Sequence, residues 1–216
     1  MVHTTYSAVE AVLSPARLGR YLKAANGDKH LATRLYVWNS HICQALYLPL
    51  QTVEVAARNA IVIPVRKRFG NSWFDNPKFH NLLAQHTRAE LLDTVRRQKA
   101  KRSHVTTEDH IIASLTFGFW QHLMTSSYDK QLWANGIRHS FPNAPAAADR
   151  AHIFRLLDDV RLLRNDVMHH YAIFDHKPQA RYQTVLILTN YVCAETHWLM
   201  TELSQVSQVI NDRPVV

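Results

Sequence analysis

The scarcity of glycine constrains the fold of this chain more than any other sequence feature. Only five glycines occur in 216 residues, whereas a protein built from β-hairpins needs glycine at many of its tight turns. Leucine, alanine, arginine and glutamine dominate long stretches instead, and all four favour helix. Hydrophobic residues make up 47% of the chain and charged residues 19%, which indicates a globular protein. We therefore expect an all-α helical bundle.

Helix start and stop signals divide the chain into segments. Ser14-Pro15 predicts a helix to about Ala25, because serine caps helices and proline favours their first turn. Asp28 can cap a second, longer helix, which Pro49 should kink or break. Further helices are expected at about residues 51–63, 80–101, 107–126, 128–133, 148–170 and 181–207. The last two form a long C-terminal pair.

No low-complexity linker interrupts the chain. This favours a single domain over residues 1–216, in which N-terminal helices at about 14–101 pack on a C-terminal bundle at about 107–207. Cys43 and Cys193 are isolated and are typical of reduced thiols. Neither a signal core nor an apolar run of membrane-spanning length is present in the sequence. These features predict a cytoplasmic protein without a membrane partner.

The charge of the chain suits a polyanionic partner. Lysine and arginine exceed aspartate and glutamate by eight, although charge alone does not identify nucleic acid as the ligand. The densest basic run, residues 96–104, could contact a phosphate backbone or could be a solvated helix end. The fourteen histidines include no His-Glu-x-x-His and no zinc-finger spacing. We expect neither a metal nor a cofactor.

The segment that carries most chemistry is Arg164-Asn165-x-x-x-His169, followed by His170-Tyr171, near the end of an apolar helix. A guanidinium can bind a phosphate through two hydrogen bonds, and an imidazole can transfer a proton near neutral pH. Each residue also has a structural interpretation. An arginine near a helix end often forms an ion pair, and a histidine in the last turn complements the helix dipole.

A helical wheel of residues 148–170 separates these side chains. The predicted core stripe consists of Ile153, Leu156, Val160, Leu163 and Val167. Arg164 falls at the edge of the stripe, so we expect it to be partly buried and to need an acceptor such as Glu54. Asn165 and His169 lie on the far side with Leu162. This face should meet solvent, a ligand or another subunit.

The motif at the end of a long helix resembles the signature of the HEPN superfamily of ribonucleases. The wider context, from about residue 14 to 174, resembles its Abi-like (abortive infection) branch. The similar stretches are Ser14–Leu18 with Tyr21-Leu22, Leu35–Asn39, Glu54–Ala60, Phe69-Gly70 with Trp73-Phe74, Leu115–Trp120, Leu132-Trp133, Phe141-Pro142, Leu163–Asn165 and His169-His170.

The resemblance implies an all-α bundle, often a homodimer, with two copies of the motif meeting at the interface. It also implies metal-independent RNA cleavage in phage defence or in a toxin–antitoxin system. The family's arginine corresponds to Arg164, its polar residue to Asn165 and its histidine to His169. Glu54 stands where Abi-like chains carry a glutamate, in a supporting role that is less defined, and His170 completes the double histidine.

The chain departs from the Abi-like pattern after the double histidine. An acidic, proline-containing stretch is expected there, and the chain has Tyr171-Ala172-Ile173-Phe174 instead. Arg-x-x-x-x-His-x-Tyr is similar to toxins paired with a nucleotidyltransferase antitoxin, in which the tyrosine corresponding to Tyr171 can be blocked by adenylylation. The alternative is that Tyr171 is an interfacial aromatic residue.

These observations give a mechanistic hypothesis and two rivals. In the hypothesis, His169 acts as base on a ribose 2′-hydroxyl or as acid toward the leaving 5′-oxygen, and Arg164 stabilises charge on the phosphate. Asn165 orients His169 or the phosphate. The first rival is an inactive HEPN-type module that binds RNA or a protein through the same face. The second is a dimerisation protein in which Arg164 and His169 only secure helix packing.

Overall fold

The computed structural model describes residues 2–102 and 106–215. Helices make up most of this part of the chain and no strand occurs within it, which confirms the all-α prediction. The α-helices are α1 (Val2–Leu13), α2 (Pro15–Ala24), α3 (Lys29–Phe69), α4 (Pro77–Leu82), α5 (Gln85–Arg102), α6 (Glu108–Ser114), α7 (Phe117–His122), α8 (Arg150–Met168), α9 (Pro178–Val192), α10 (Ala194–Leu203) and α11 (Val206–Asn211). Short 3-10 turns occupy Trp73–Asp75, Ser126–Tyr128 and Ile137–Ser140, and a π-turn occupies Asp129–Trp133.

The predicted starts of α2 and α3 are confirmed by their capping geometry. Ser14 Oγ accepts a hydrogen bond from the Arg17 N–H at 3.4 Å, and proline follows at the first helical position. Asp28 Oδ1 accepts from the N–H groups of His30 and Leu31 at 2.8 and 3.1 Å. These contacts satisfy donors that the first turn of a helix leaves unpaired.

Helix α3 is a single helix of 41 residues, so the predicted break at Pro49 was wrong. A proline in a helix interior costs about 3 kcal/mol, because it removes one hydrogen bond and crowds the preceding turn. Pro49 is buried among other buried residues of α3, and this packing supports the continuous helix at the proline. Pro64 packs closely against Gly136, where an added Cβ would lie 2.9 Å from the proline ring. The helix ends at Phe69 and is capped by Gly70, which has a φ of 88°.

Three other predicted helices are divided in the structure. The range 80–101 becomes α4 and α5, the range 107–126 becomes α6 and α7, and the range 181–207 becomes α9, α10 and α11. Thr116 caps α7 at the break between α6 and α7. Glu90 on α5 stabilises this break by accepting hydrogen bonds from the Thr116 N–H and hydroxyl at 3.1 and 2.8 Å. The aromatic residues of α7 are buried. Residues 103–105, including His104 in the basic run, lie outside the described residues.

Helix α3 is the spine of the bundle. It packs against α1, α2, α9 and α11, and α8 lies against α7 and α9. The buried side chains form one cluster that draws on both the N-terminal helices and the C-terminal bundle. The single-domain assignment of residues 1–216 stays a prediction. Within the described residues, no helix is long and apolar enough to span a membrane.

Candidate functional site

Helix α8 presents the motif in its last turns. The helix starts at Asp149, whose Oδ1 accepts from the His152 N–H at 2.7 Å. Its buried face consists of Ile153, Leu157, Val160, Leu163 and Val167. The predicted core stripe is therefore confirmed except at one position, because Leu157 is buried and Leu156 only half-buried. Asp166 also pairs with Arg181 of α9 at 2.8 Å, which ties the end of α8 to the next helix.

The chain turns sharply at the end of α8. His169 is the C-cap, and His170 follows in the left-handed conformation with a φ of 58°. The His170 N–H donates to Val167 O at 3.1 Å and the Tyr171 N–H to Asp166 O at 2.8 Å. This is the paired hydrogen-bond pattern of a Schellman cap, with histidine where glycine is usual. As a result, the rings of His169 and Tyr171 lie 6.0 Å apart.

The acceptor predicted for Arg164 is present on α3. Arg164 Nε lies 3.3 Å from Glu54 Oε2, with the two side chains 38% and 22% exposed. The contact is an ion pair without a hydrogen bond from the buried Nε to a described residue. Arg164 Nη1 also lies 3.5 Å from Asn165 Oδ1. Among the residues that the structure describes, most of the guanidinium donors therefore have no hydrogen-bond partner, and such a partly exposed cation can bind a phosphate oxygen.

The imidazole of His169 lies at the surface, as the wheel predicts, whereas Asn165 is half-buried. The Asn165 carbonyl accepts from the His169 N–H at 2.9 Å, and its side chain points to Arg164 instead. Leu162, Met168 and Tyr171 are exposed nearby on the chain, Tyr171 by 57%. The structure thus joins Glu54, Arg164 and Asn165 in one group, and His169 and Tyr171 in a second group at the end of the same helix.

A buried asparagine positions the segment that follows the motif, and sequence reasoning assigned it no role. Asn39 on α3 is only 4% exposed. Its Oδ1 accepts from the N–H groups of Ile173 and Phe174 at 2.8 and 3.1 Å, and its Nδ2 donates to Tyr171 O at 3.4 Å. The available sequence signal is a lone amide within the apolar face of α3.

Two arginines of α2 contact the same segment from the other side, and they were also missed as site residues. Arg17 Nη1 donates to His170 O at 2.7 Å. Arg20 Nη2 donates to Asp175 Oδ1 and Oδ2 at 2.8 and 3.0 Å, and it lies 2.7 Å from His176 Nε2. Both arginines are exposed. The double histidine is therefore bordered by cations from a distant part of the chain.

Two titratable groups beneath the site are held in their neutral forms. Burial raises the pKa of the Cys43 thiol to about 11, and the charge of Asp166 adds to this effect. Burial also raises the pKa of Tyr21 well above its usual range. Neither group therefore adds a charge to the site.

No protein-family model matches this chain, and neither a curated protein nor a solved structure is significantly similar to it. Within the described residues, no group of three or more His, Cys, Asp or Glu side chains could hold a metal ion.

Proposed function

We propose that this protein is a metal-independent endoribonuclease of the HEPN type that cleaves RNA through the ribose 2′-hydroxyl. The observation that carries the proposal is the arrangement of side chains at the C-terminal end of α8. There Arg164, a cation with unused donors, is held by Glu54, and an exposed imidazole, that of His169, follows on the next turn. These groups supply phosphate binding and proton transfer.

The reaction needs one base, one acid and a cation. His169 takes the proton from a 2′-hydroxyl, whose oxygen forms a bond to the adjacent phosphorus. The bond from phosphorus to the 5′-oxygen breaks, and that oxygen leaves with a proton as a 5′-hydroxyl. The other product carries a 2′,3′-cyclic phosphate. Arg164 stabilises the charge on the phosphorus oxygens, and Asn165 holds the guanidinium through its 3.5 Å contact.

In this proposal, a second copy of the chain completes the active site. One imidazole cannot easily serve as base and acid in the same step, so two His169 side chains across a homodimer interface would divide the roles. The exposed apolar side chains of Leu162 and Met168 beside the motif support such an interface. The proposed setting is cytoplasmic abortive infection or a toxin–antitoxin system. An antitoxin protein could act on Tyr171, whose side chain is exposed.

Cleavage rates of matched variants test the proposal. The parent, His169→Ala and Arg164→Ala are compared on a mixed RNA and on DNA of the same sequence, in EDTA. We expect each substitution to slow RNA cleavage by about 10²- to 10⁴-fold, and DNA to resist because it lacks the 2′-hydroxyl. His139→Ala is the control, because His139 is exposed on a 3-10 turn outside the motif. Equal rates for the parent and His169→Ala would exclude the assignment.

The second candidate is an RNA-binding module without catalysis. The net charge of +8 favours it, and so do Arg17 and Arg20 beside the motif. This candidate predicts RNA binding that weakens with salt, survives His169→Ala and is accompanied by no cleavage.

A further inference from the structure

A pocket of about 300 Å³ opens between α2 and the segment that follows α8. Its lining consists of Ser14, Ala16, Arg17, Arg20, Tyr21, His170, Tyr171 and Ala172. This volume lies at the lower end of the range for small-ligand sites. The pocket also touches the motif, because His170 and Tyr171 directly follow His169. A group bound there would lie next to any phosphate held at His169.

The pocket contains two arginines that retain donors for an anion. Arg17 uses one N–H on the His170 carbonyl, and most of its five donors have no other partner within the described part of the chain. Arg20 pairs with Asp175, but the two side chains are 43% and 40% exposed. Exposed ion pairs contribute at most about 1 kcal/mol, so a phosphate can replace the carboxylate. The two arginines lie three residues apart on α2 and therefore on neighbouring positions of one face.

Tyr171 supplies a flat surface at the rim of the pocket. Its side chain is 57% exposed, although its backbone is fixed by the cap of α8 and by the hydrogen bond of its carbonyl with Asn39. The ring centroid lies 6.0 Å from that of His169. An exposed aromatic ring on a fixed backbone is suited to stacking on a nucleobase, with little ordering of the chain on binding.

We infer that this pocket is the subsite for the RNA nucleotide next to the scissile phosphate. Arg17 and Arg20 bind its phosphate, and Tyr171 stacks on its base. The ring of Tyr171 then places the neighbouring phosphate beside His169. This inference rests on the proposed function for the position of the scissile phosphate. The contacts themselves are a binding property that can be measured without cleavage.

Binding of an uncleavable RNA tests the subsite. The probe is a short, fluorescently labelled RNA with 2′-fluoro riboses, which lacks the attacking hydroxyl, and anisotropy measures its Kd with the full chain. We expect Tyr171→Ala to weaken binding by about 5- to 100-fold and Tyr171→Phe to bind as the parent does. Arg17→Gln should weaken binding by about tenfold and reduce the salt slope by about one.

Two matched controls separate the subsite from general effects on charge and surface. Tyr47→Ala removes a tyrosine of α3 that is 56% exposed, and Arg88→Gln removes an exposed arginine of α5. Both should bind the probe nearly as the parent does. The inference is overturned if Tyr171→Ala and Arg17→Gln bind normally, or if the controls lose as much affinity.

Cleavage of the unmodified RNA, measured on the same proteins, keeps the two proposals distinguishable. A parent that cleaves RNA while its Tyr171→Ala and Arg17→Gln variants bind the probe normally would overturn only the subsite. A parent that does not cleave, but whose variants lose affinity as expected, would reject the nuclease and support the subsite as part of an RNA-binding module.

Discussion

Arg164 depends on a single carboxylate for its position. Glu54 reaches it from α3 across the helix interface, and both side chains are partly shielded from water. A charge in this setting contributes little to stability but determines where the guanidinium lies. The same ion pair joins α3 to α8 and leaves part of the guanidinium open to an anion.

Glu54→Gln should separate the contribution of the ion pair to helix packing from its orientation of Arg164. The substitution keeps the shape and removes the charge, so we expect kcat to fall by about tenfold as the guanidinium loses its orientation. KM should stay the same or decrease, because the site becomes more positive. Single-turnover and steady-state kinetics measure both quantities.

Glu108→Gln provides a matched control for this variant. Glu108 pairs with Arg66 at 3.2 Å and is not part of the motif. We expect it to affect thermal stability while kcat per folded molecule stays unchanged. Equal kcat values for Glu54→Gln and the parent would show that the ion pair does not orient Arg164 for catalysis.

At the scale of elements, the segment after α8 is held by a residue that the chain supplies more than a hundred positions earlier. Asn39 satisfies the N–H groups of Ile173 and Phe174, and it is separated from Ile173 by 134 residues. The backbone beneath the double histidine therefore has a defined path although it belongs to no helix. Stability and positioning of the site should both depend on this amide.

Asn39→Ala leaves two buried donors without an acceptor. An unsatisfied buried donor costs about 1–3 kcal/mol, so we expect the free energy of unfolding to fall by about 2–4 kcal/mol after local relaxation. We also expect Asn39→Ala to lower the cleavage rate per folded molecule, because the backbone after α8 loses its anchor. Asn39→Asp retains the accepting oxygen and should recover part of that rate. Chemical denaturation and cleavage assays measure the two effects. If Asn39→Ala were as stable as the parent, the amide would have no such anchoring role.

The contact between α5 and α7 should make stability sensitive to acid. The rings of His86 and His122 lie 4.2 Å apart. The pKa of His122 is below its ordinary value of 6.5, mainly because burial disfavours the charged ring and also because of His86, while Glu90 opposes the shift. The unfolded chain therefore binds a proton first as the pH falls. The stability contributed by the neutral ring of His122 is present above pH 6.5, and it is lost as the pH falls through the lower pKa of the folded state.

His122→Asn should reduce the loss of stability at acidic pH. We expect the melting temperature of the variant to fall less than that of the parent between about pH 7 and pH 5. His139→Asn, which alters an exposed histidine, should follow the parent. A parent and a His122→Asn variant with the same acid dependence would contradict this assignment.

Many helix starts and buried helix faces could be predicted from local sequence, and the predictions that were wrong or missing have a common cause. The caps at Ser14 and Asp28 and the core face of α8 follow from local chemistry and helical periodicity. The continuation of α3 through Pro49 depends on packing around the proline instead. The break at Thr116 depends on Glu90, and the path after α8 depends on Asn39. Contacts between distant residues of this kind leave no periodic signal in the chain.

At the scale of the whole molecule, the proposed site requires two copies of the chain. His169 is exposed at the end of α8, and Leu162 is 45% exposed on the same helix face. This arrangement suits a motif that a partner surface completes, whereas a monomer would present one imidazole to water. The sequence predicted the outward direction of this face, and the partner itself stays a prediction.

Leu162→Glu tests the assembly. A charge placed in the proposed interface should convert a dimer into a monomer and lower the cleavage rate per chain by about tenfold or more. Sedimentation velocity and cleavage assays measure the two changes. Leu92→Glu is the control, since Leu92 of α5 is 41% exposed and is not on the motif helix. A Leu162→Glu variant that remains dimeric and active would place the interface elsewhere.

The chemical form of the cleaved RNA tests the central claim most directly. Mass spectrometry of the fragments made by the parent, with His169→Ala measured in parallel, identifies both new termini. Attack by the 2′-hydroxyl predicts 2′,3′-cyclic phosphate and 5′-hydroxyl ends that disappear in the variant. Fragments with 5′-phosphate ends, or cyclic phosphate ends formed equally fast by His169→Ala, would contradict the account.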